Sequence, residues 1–166
     1  MERHVAQRSL VASVAFALAL VAIAHAGGAL TFSAAPETTG RYAVTGSLTA
    51  LDAPPGTAVS FYGRAPTKTE MAPSPGADGL FFFHLDLGAN APVRVGSGST
   101  MDVTFPSKLD PSYRYSMTLA RTVPNVVDVP GTLRGNTLHF TLPAFVVPAK
   151  TRIIGEIDGD PTSSDR

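Results

Sequence analysis

An all-β fold is what this sequence predicts: a single antiparallel β-sandwich, Ig-like or transthyretin-like, of about seven or eight strands behind one N-terminal hydrophobic helix. Three observations lead there. Short apolar stretches alternate with polar residues at period two from Arg41 onward, glycine and proline punctuate them every ten to fifteen residues, and no helical periodicity follows the first thirty-two residues. The chain has neither Cys nor Trp, so the Cys-Trp-Cys core of antibody domains is missing and only the architecture is expected.

The hydrophobic helix is expected over residues 1–32. Arg3 and Arg8 precede an uncharged apolar run over 10–24, which continues past His25 to Phe32, and no further Lys or Arg occurs before Arg41. Such a bias holds the N-terminus in the cytoplasm and sends the remainder across the membrane. Two fates suit the run. Residues 10–24 match the ~7–15 apolar residues of a signal peptide, with cleavage sites at Ala22-Ile23-Ala24 and Ala24-His25-Ala26. Residues 10–32, at ~1.5 Å of rise each, also reach the ~30 Å of a bilayer core. A retained helix would offer Ala12, Ala15, Ala19, Ala22 and Ala26 as a small-residue stripe for close lateral packing in lipid. The expected location is the bacterial inner membrane with the C-terminal domain in the periplasm, or the periplasm itself after cleavage.

Residues 33–40, with Pro36 and Gly40, read as a linker, and the sandwich is expected over 41–158. In 41–51, Tyr42, Val44, Leu48 and Ala50 face away from Arg41, Thr45, Ser47 and Thr49, and Asp52-Ala53-Pro54-Pro55-Gly56 then turns the chain. Strands follow at 58–63 and at 80–87, where Phe81, Phe83, Leu85 and Leu87 share one side and Leu80, Phe82, His84 and Asp86 the other. Short strands at 93–96 and 101–105 flank Gly96-Ser97-Gly98-Ser99. In 113–123, Tyr113, Tyr115, Met117 and Leu119 oppose Arg114, Ser116, Thr118 and Ala120, the pattern of a sheet wet on one face. Residues 132–140 form a hairpin turning at Arg134-Gly135-Asn136, and 151–157 the final strand. Pro66, Pro73 and Pro75 keep 65–79 an extended irregular connection, and 159–166 is a flexible tail.

Composition narrows the function. Taking Arg3 and Arg8 from the thirteen basic residues and Glu2 from the thirteen acidic leaves eleven and twelve beyond the leader. That balance excludes nucleic-acid binding by charge as the main role. Lack of Cys removes lipobox anchors, covalent c-type haem, thiolate copper sites and thiol nucleophiles.

Catalytic signals are weak. His84 and His139 sit among apolar neighbours on the wetter faces of their strands, with no ligand spacing around them. Glu156, Asp158 and Asp160 lack the twelve-residue spacing of a calcium loop, and Ser97 and Ser99 lack the strand-to-helix elbow of a serine hydrolase. Asp86, Asp102 and Asp128 lie near strands, but nothing in the sequence pairs them as a glycosidase requires. No catalytic residue, cofactor or metal is therefore expected, with His25 the one metal candidate: cleavage after Ala24 would set an N-terminal amine beside its imidazole, a pair that chelates Cu(II). On His25-Ala26 and the expected sandwich, such a mature chain resembles the small periplasmic copper-resistance carriers, and the resemblance implies a secreted copper-binding module. The Met- and His-rich copper positions of that family are not evident here.

An interface is the stronger signal. Phe81, Phe82 and Phe83 place rings on both faces of one strand, so either that strand is covered on both sides or Phe82 with Leu80 forms a patch for a partner, together with Pro66, Pro73 and Pro75 of the long connection. The expected function is thus a non-catalytic accessory subunit, anchored in the lipid bilayer by its N-terminal helix, whose exported sandwich docks on a larger membrane protein complex, photosynthetic or respiratory.

Overall fold

The computed structural model describes residues 27–35, 41–65 and 78–161. These form eleven strands: β1 (Gly28–Ala34), β2 (Ala43–Asp52), β3 (Ser60–Arg64), β4 (Asp78–Asp86), β5 (Val93–Val95), β6 (Ser99–Thr104), β7 (Tyr113–Ala120), β8 (Val126–Arg134), β9 (Thr137–Leu142), β10 (Phe145–Val147) and β11 (Arg152–Pro161). Every pairing is antiparallel. The all-β, antiparallel expectation agrees with the structure, while seven or eight strands becomes eleven. They lie on one hydrogen-bonded path, β10-β5-β2-β6-β9-β8-β7-β11-β4-β3, with β1 paired to β2 off that path.

One strand joins the two halves of the path. Val126, Val129 and Pro130 of β8 pair with β7, whereas Gly131 to Arg134 pair with β9. Alternation then sends one side of these strands into a common core: Val44, Leu48 and Ala50 from β2, Phe81, Phe83 and Leu85 from β4, Met117 and Leu119 from β7, Ile153 and Ile157 from β11. Across this core β1 and β2 face β3 and β4. Tyr42, next to β2, stacks on Phe81 with ring centroids 4.5 Å apart and donates its hydroxyl to the Leu80 carbonyl at 3.3 Å. Phe32 of β1 stacks on Phe61 of β3 at 5.7 Å.

Inside this core, strand glycines sit directly opposite aromatic residues. Gly46 pairs with Phe32, Gly155 with Phe83, Gly131 with Phe140 and Gly159 with Tyr115. Each ring lies over the bare backbone, so closely that a Cβ on Gly155 would stand 2.0 Å from Phe83 Cζ and one on Gly46 2.1 Å from Phe32 Cζ. Glycine interrupts a strand's side-chain surface, and the cross-strand ring refills the gap.

Three expectations are corrected. Residues 28–32, expected as the end of a helix, and 33–34 of the expected linker are β1, because Leu30 and Phe32 alternate with Thr31 and Ser33 and enter the core as β2 pairs alongside. Residues 159–161 of the expected tail belong to β11, where Pro161 still pairs with Tyr113. The first half of β8 and the three residues of β10 are strands in stretches that the sequence reading left unassigned. The helix expected before residue 27, with Ala12, Ala15, Ala19, Ala22, Ala26 and His25, lies outside the described residues, as do 36–40, 162–166 and the loop prolines Pro66, Pro73 and Pro75. Among the described residues no helix is long and apolar enough to cross a membrane.

Candidate ligand groove on the outer face of β3, β4 and β11

Register decides what the outer face of this half displays. Three cross-strand rows run over β3, β4 and β11: Ser60, Asp86 and Arg152; Tyr62, His84 and Ile154; Arg64, Phe82 and Glu156. In the middle row Tyr62 and His84 stack, centroids 6.4 Å apart and planes 28° from parallel, with Tyr62 61% exposed. An apolar ring left in water at the centre of a row contributes little to the core and is free to take a ligand. In the next row the Arg64 guanidinium stands 5.4 Å from the Phe82 ring centroid, a cation–π contact that covers the ring and leaves it half-buried.

Cations gather at the other end. Arg152 Nη2 lies 3.6 Å from Asp86 Oδ2, while Asp86 Oδ1 accepts a hydrogen bond from the Gly88 amide at 2.9 Å. Arg121, after β7, and Lys150, after β10, complete this end, and both hold left-handed backbone conformations at φ 66° and 55°. Such angles cost a non-glycine residue roughly 1 kcal/mol. Arg121, Lys150, Arg152, Asp86 and Val123 line an open cavity of about 600 Å³, and Asp86 and Arg152 also line a second of about 600 Å³ with Ser60, Tyr62 and His84. Tyr62 and His84 then continue into a smaller hollow beside Arg64 and Phe82. Shared walls make the three one groove.

The groove is electropositive. His84 is held below the ordinary imidazole range, first by burial and then by the positive charges of Arg152, Arg64 and Arg121. Around neutral pH the imidazole is therefore a neutral ring with one donor and one acceptor nitrogen, set among permanent cations.

The expected patch residues separate. Phe82 does lie on the outer face, beneath Arg64, but Leu80 is partly buried and packed against the core, with Gly159 close by. The residues that sequence reasoning missed are Tyr62, Arg152, Arg121 and Lys150. Alternation about Phe61 and Gly63 would have turned Tyr62 outward, but its neighbours depend on register, which a single sequence does not encode.

Elsewhere the chemistry is sparser. His139 Nδ1 stands 2.7 Å from Asp102 Oδ1 across the β6–β9 pair, an acid–imidazole contact that the sequence did not foretell. Thr132 and Thr45 are the next residues of that row. Ser99 is buried and locked: its hydroxyl donates to the Gly96 carbonyl at 2.9 Å and accepts the Thr49 amide at 3.0 Å. Asp158 is raised to about 6 by burial, then by Glu156, Asp160 and Asp128. Among the described residues no group of three or more His, Cys, Asp and Glu is arranged to hold a metal ion. Compared with protein-family models, with curated proteins and with solved structures, the chain finds no match in any of the three.

Proposed function

We propose that this chain is a non-catalytic accessory module, exported across the cytoplasmic membrane, that docks through the outer face of β3, β4 and β11. The observation that carries the reading is the company Tyr62 keeps: an exposed ring stacked on His84, with Arg64 two residues along the same strand and Arg152 of β11 lining the same cavity. Aromatic and arginine side chains together are the composition of interface centres. In this reading the path works as a flattened sandwich, its docking partner is a larger membrane protein complex, photosynthetic or respiratory, and the N-terminal helix holds the module in the bilayer beside it.

A second reading, a soluble periplasmic binding module, has its own supporting observation. Because β1 begins at Gly28, the strand claims residues that a retained anchor would need. The apolar run left before it, 10–26, is seventeen residues, the lower limit of the ~17–25 that span a bilayer. Cleavage after Ala26 would leave a chain starting one residue ahead of β1, and His25 would depart with the leader, taking the copper-chelating pair with it.

Intact mass and size-exclusion of the native protein in mild detergent test both. A mass that includes Glu2, with co-elution in a large complex, supports the anchored subunit. A chain beginning at Gly27 and running alone supports the soluble module without the copper pair, and one beginning at His25 that retains Cu(II) supports the soluble module as a copper carrier.

A further inference from the structure

We infer that the groove is a binding site for an acidic polysaccharide, one whose sugar rings stack on Tyr62 and His84 while their carboxylates meet Arg152, Arg121 and Lys150. The inference rests on the second reading, a periplasmic binding module, and names its ligand; it gives this face an occupant other than the membrane complex of the first reading.

Three features of the groove select this ligand. The first is charge. Arg152, Arg121, Lys150 and Arg64 stand against Asp86 and Glu156 along the same rows and cavities. Arg121 and Lys150 make no ion pair among the described residues, so their charges remain available. Guanidinium groups bind carboxylates in a planar two-point fashion, which gives direction as well as attraction.

The second is the flat pair of rings. Tyr62 and His84 lie 28° from parallel at 6.4 Å, on the scale of one sugar unit, and Tyr62 is largely in water. The C–H face of a pyranose is apolar and fits such a platform. His84, kept neutral by its surroundings, adds a ring that a nearby cation does not have to repel.

The third is where the groove lies. It crosses the face of three paired strands, so side chains line it: Ser60, Tyr62, His84, Asp86, Thr151. An extended peptide laid across the face would find no free backbone ladder there, since the unpaired edge of β3 borders the rows and does not cross them, and polyglutamate tests the edge directly. Sugar hydroxyls need no ladder and meet isolated donors and acceptors, with Asp86 an acceptor among the cations. A nucleic acid shares the stacking and the charge, so single-stranded DNA is one of the probes below.

Calorimetric titration of the full chain, as it accumulates in its native host, tests this with four probes: oligogalacturonate, its neutral methyl ester, polyglutamate and single-stranded DNA. The expected result is salt-sensitive binding of oligogalacturonate alone. Arg152→Gln, Lys150→Gln and Tyr62→Ala should each weaken it by about tenfold or more, with melting temperatures unchanged, whereas Arg134→Gln, an exposed arginine on β8, should leave it intact. Equal binding of the ester, of polyglutamate or of DNA overturns the inference, as does no binding of oligogalacturonate or loss equalled by Arg134→Gln. The docking reading fails separately: a Tyr62→Asp chain that still co-elutes with the native complex refutes use of this face, whatever the sugar titration gives.

Discussion

The two halves of the molecule share one inner design and differ in what they show to water. Around β2, β6 and β9 the outer residues are Thr45, Ser47 and Thr49, then Thr100, Asp102 and Thr104, then Thr137, His139 and Thr141, aligned in rows across the strands. Around β3, β4 and β11 the corresponding rows hold Tyr62, His84, Phe82 and the cations. Threonine is what a wet strand face carries when only β-propensity acts on it. The departure from that background marks where a further requirement acted, and the Thr104–Thr137 hydroxyl contact at 2.8 Å shows the first half satisfying its polar groups internally.

If the inner design is common to both halves, a methyl group should be equally damaging in each. Gly155→Ala and Gly46→Ala should each cost about 3 kcal/mol, because a buried ring has to leave its place. Chemical denaturation measures this, and a tolerated substitution in one half would mean that the glycine–aromatic pairs differ after all.

The outer faces should part company in binding. Tyr62→Ala should remove roughly tenfold of oligogalacturonate affinity without changing the denaturation midpoint, and Thr141→Ala, exposed on the other face, should change neither. Parallel titration of the two variants sharpens the contrast, and equal losses would erase it.

Acidity separates the halves more gently. Asp158 binds its proton more tightly in the folded chain than in the unfolded one, since its folded value is about 6 against the ordinary 3.8. Its contribution to stability is therefore fully present below about pH 4 and lost as pH rises through about 6. After allowance for solvent at this half-exposed group, Asp158→Asn should stabilise the chain by about 1 kcal/mol near pH 7 and by nothing near pH 4. Melting temperatures of both chains across that range check the sign.

Smallest of all should be the Asp102–His139 contact. Both side chains are partly exposed, so Asp102→Asn should cost at most about 0.5 kcal/mol. A loss several times larger, read by denaturation, would give the threonine face a polar network that its geometry does not suggest.

Legibility in the sequence followed the range of the interaction. The alternation of Phe81, Phe83, Leu85 and Leu87, the Tyr115–Leu119 stripe and the turn at Gly135-Asn136 are encoded by neighbours, and the structure places them as read. β1 escaped because Leu30 and Phe32 extend an apolar run, which hides their period of two until β2 lies beside them. β10 is three residues long, too short to show a period. The groove needed more still, since Tyr62, His84 and Arg152 are brought together by pairings that span ninety positions. Pro66, Pro73 and Pro75 stay outside the described residues, so the loop share of the expected interface rests on sequence alone.

The place of β11 sets a clock on maturation. It hydrogen-bonds to β4 on one side and β7 on the other, so among the described residues β3 and β4 join the rest of the sheet only through it. Residues 152–161 leave the ribosome after all the other described strands. Until they arrive, two parts of the sheet have no backbone seam between them, and the core that they share cannot close. Under the export proposed above, that delay would keep the chain in the extended form that a narrow translocation channel accepts.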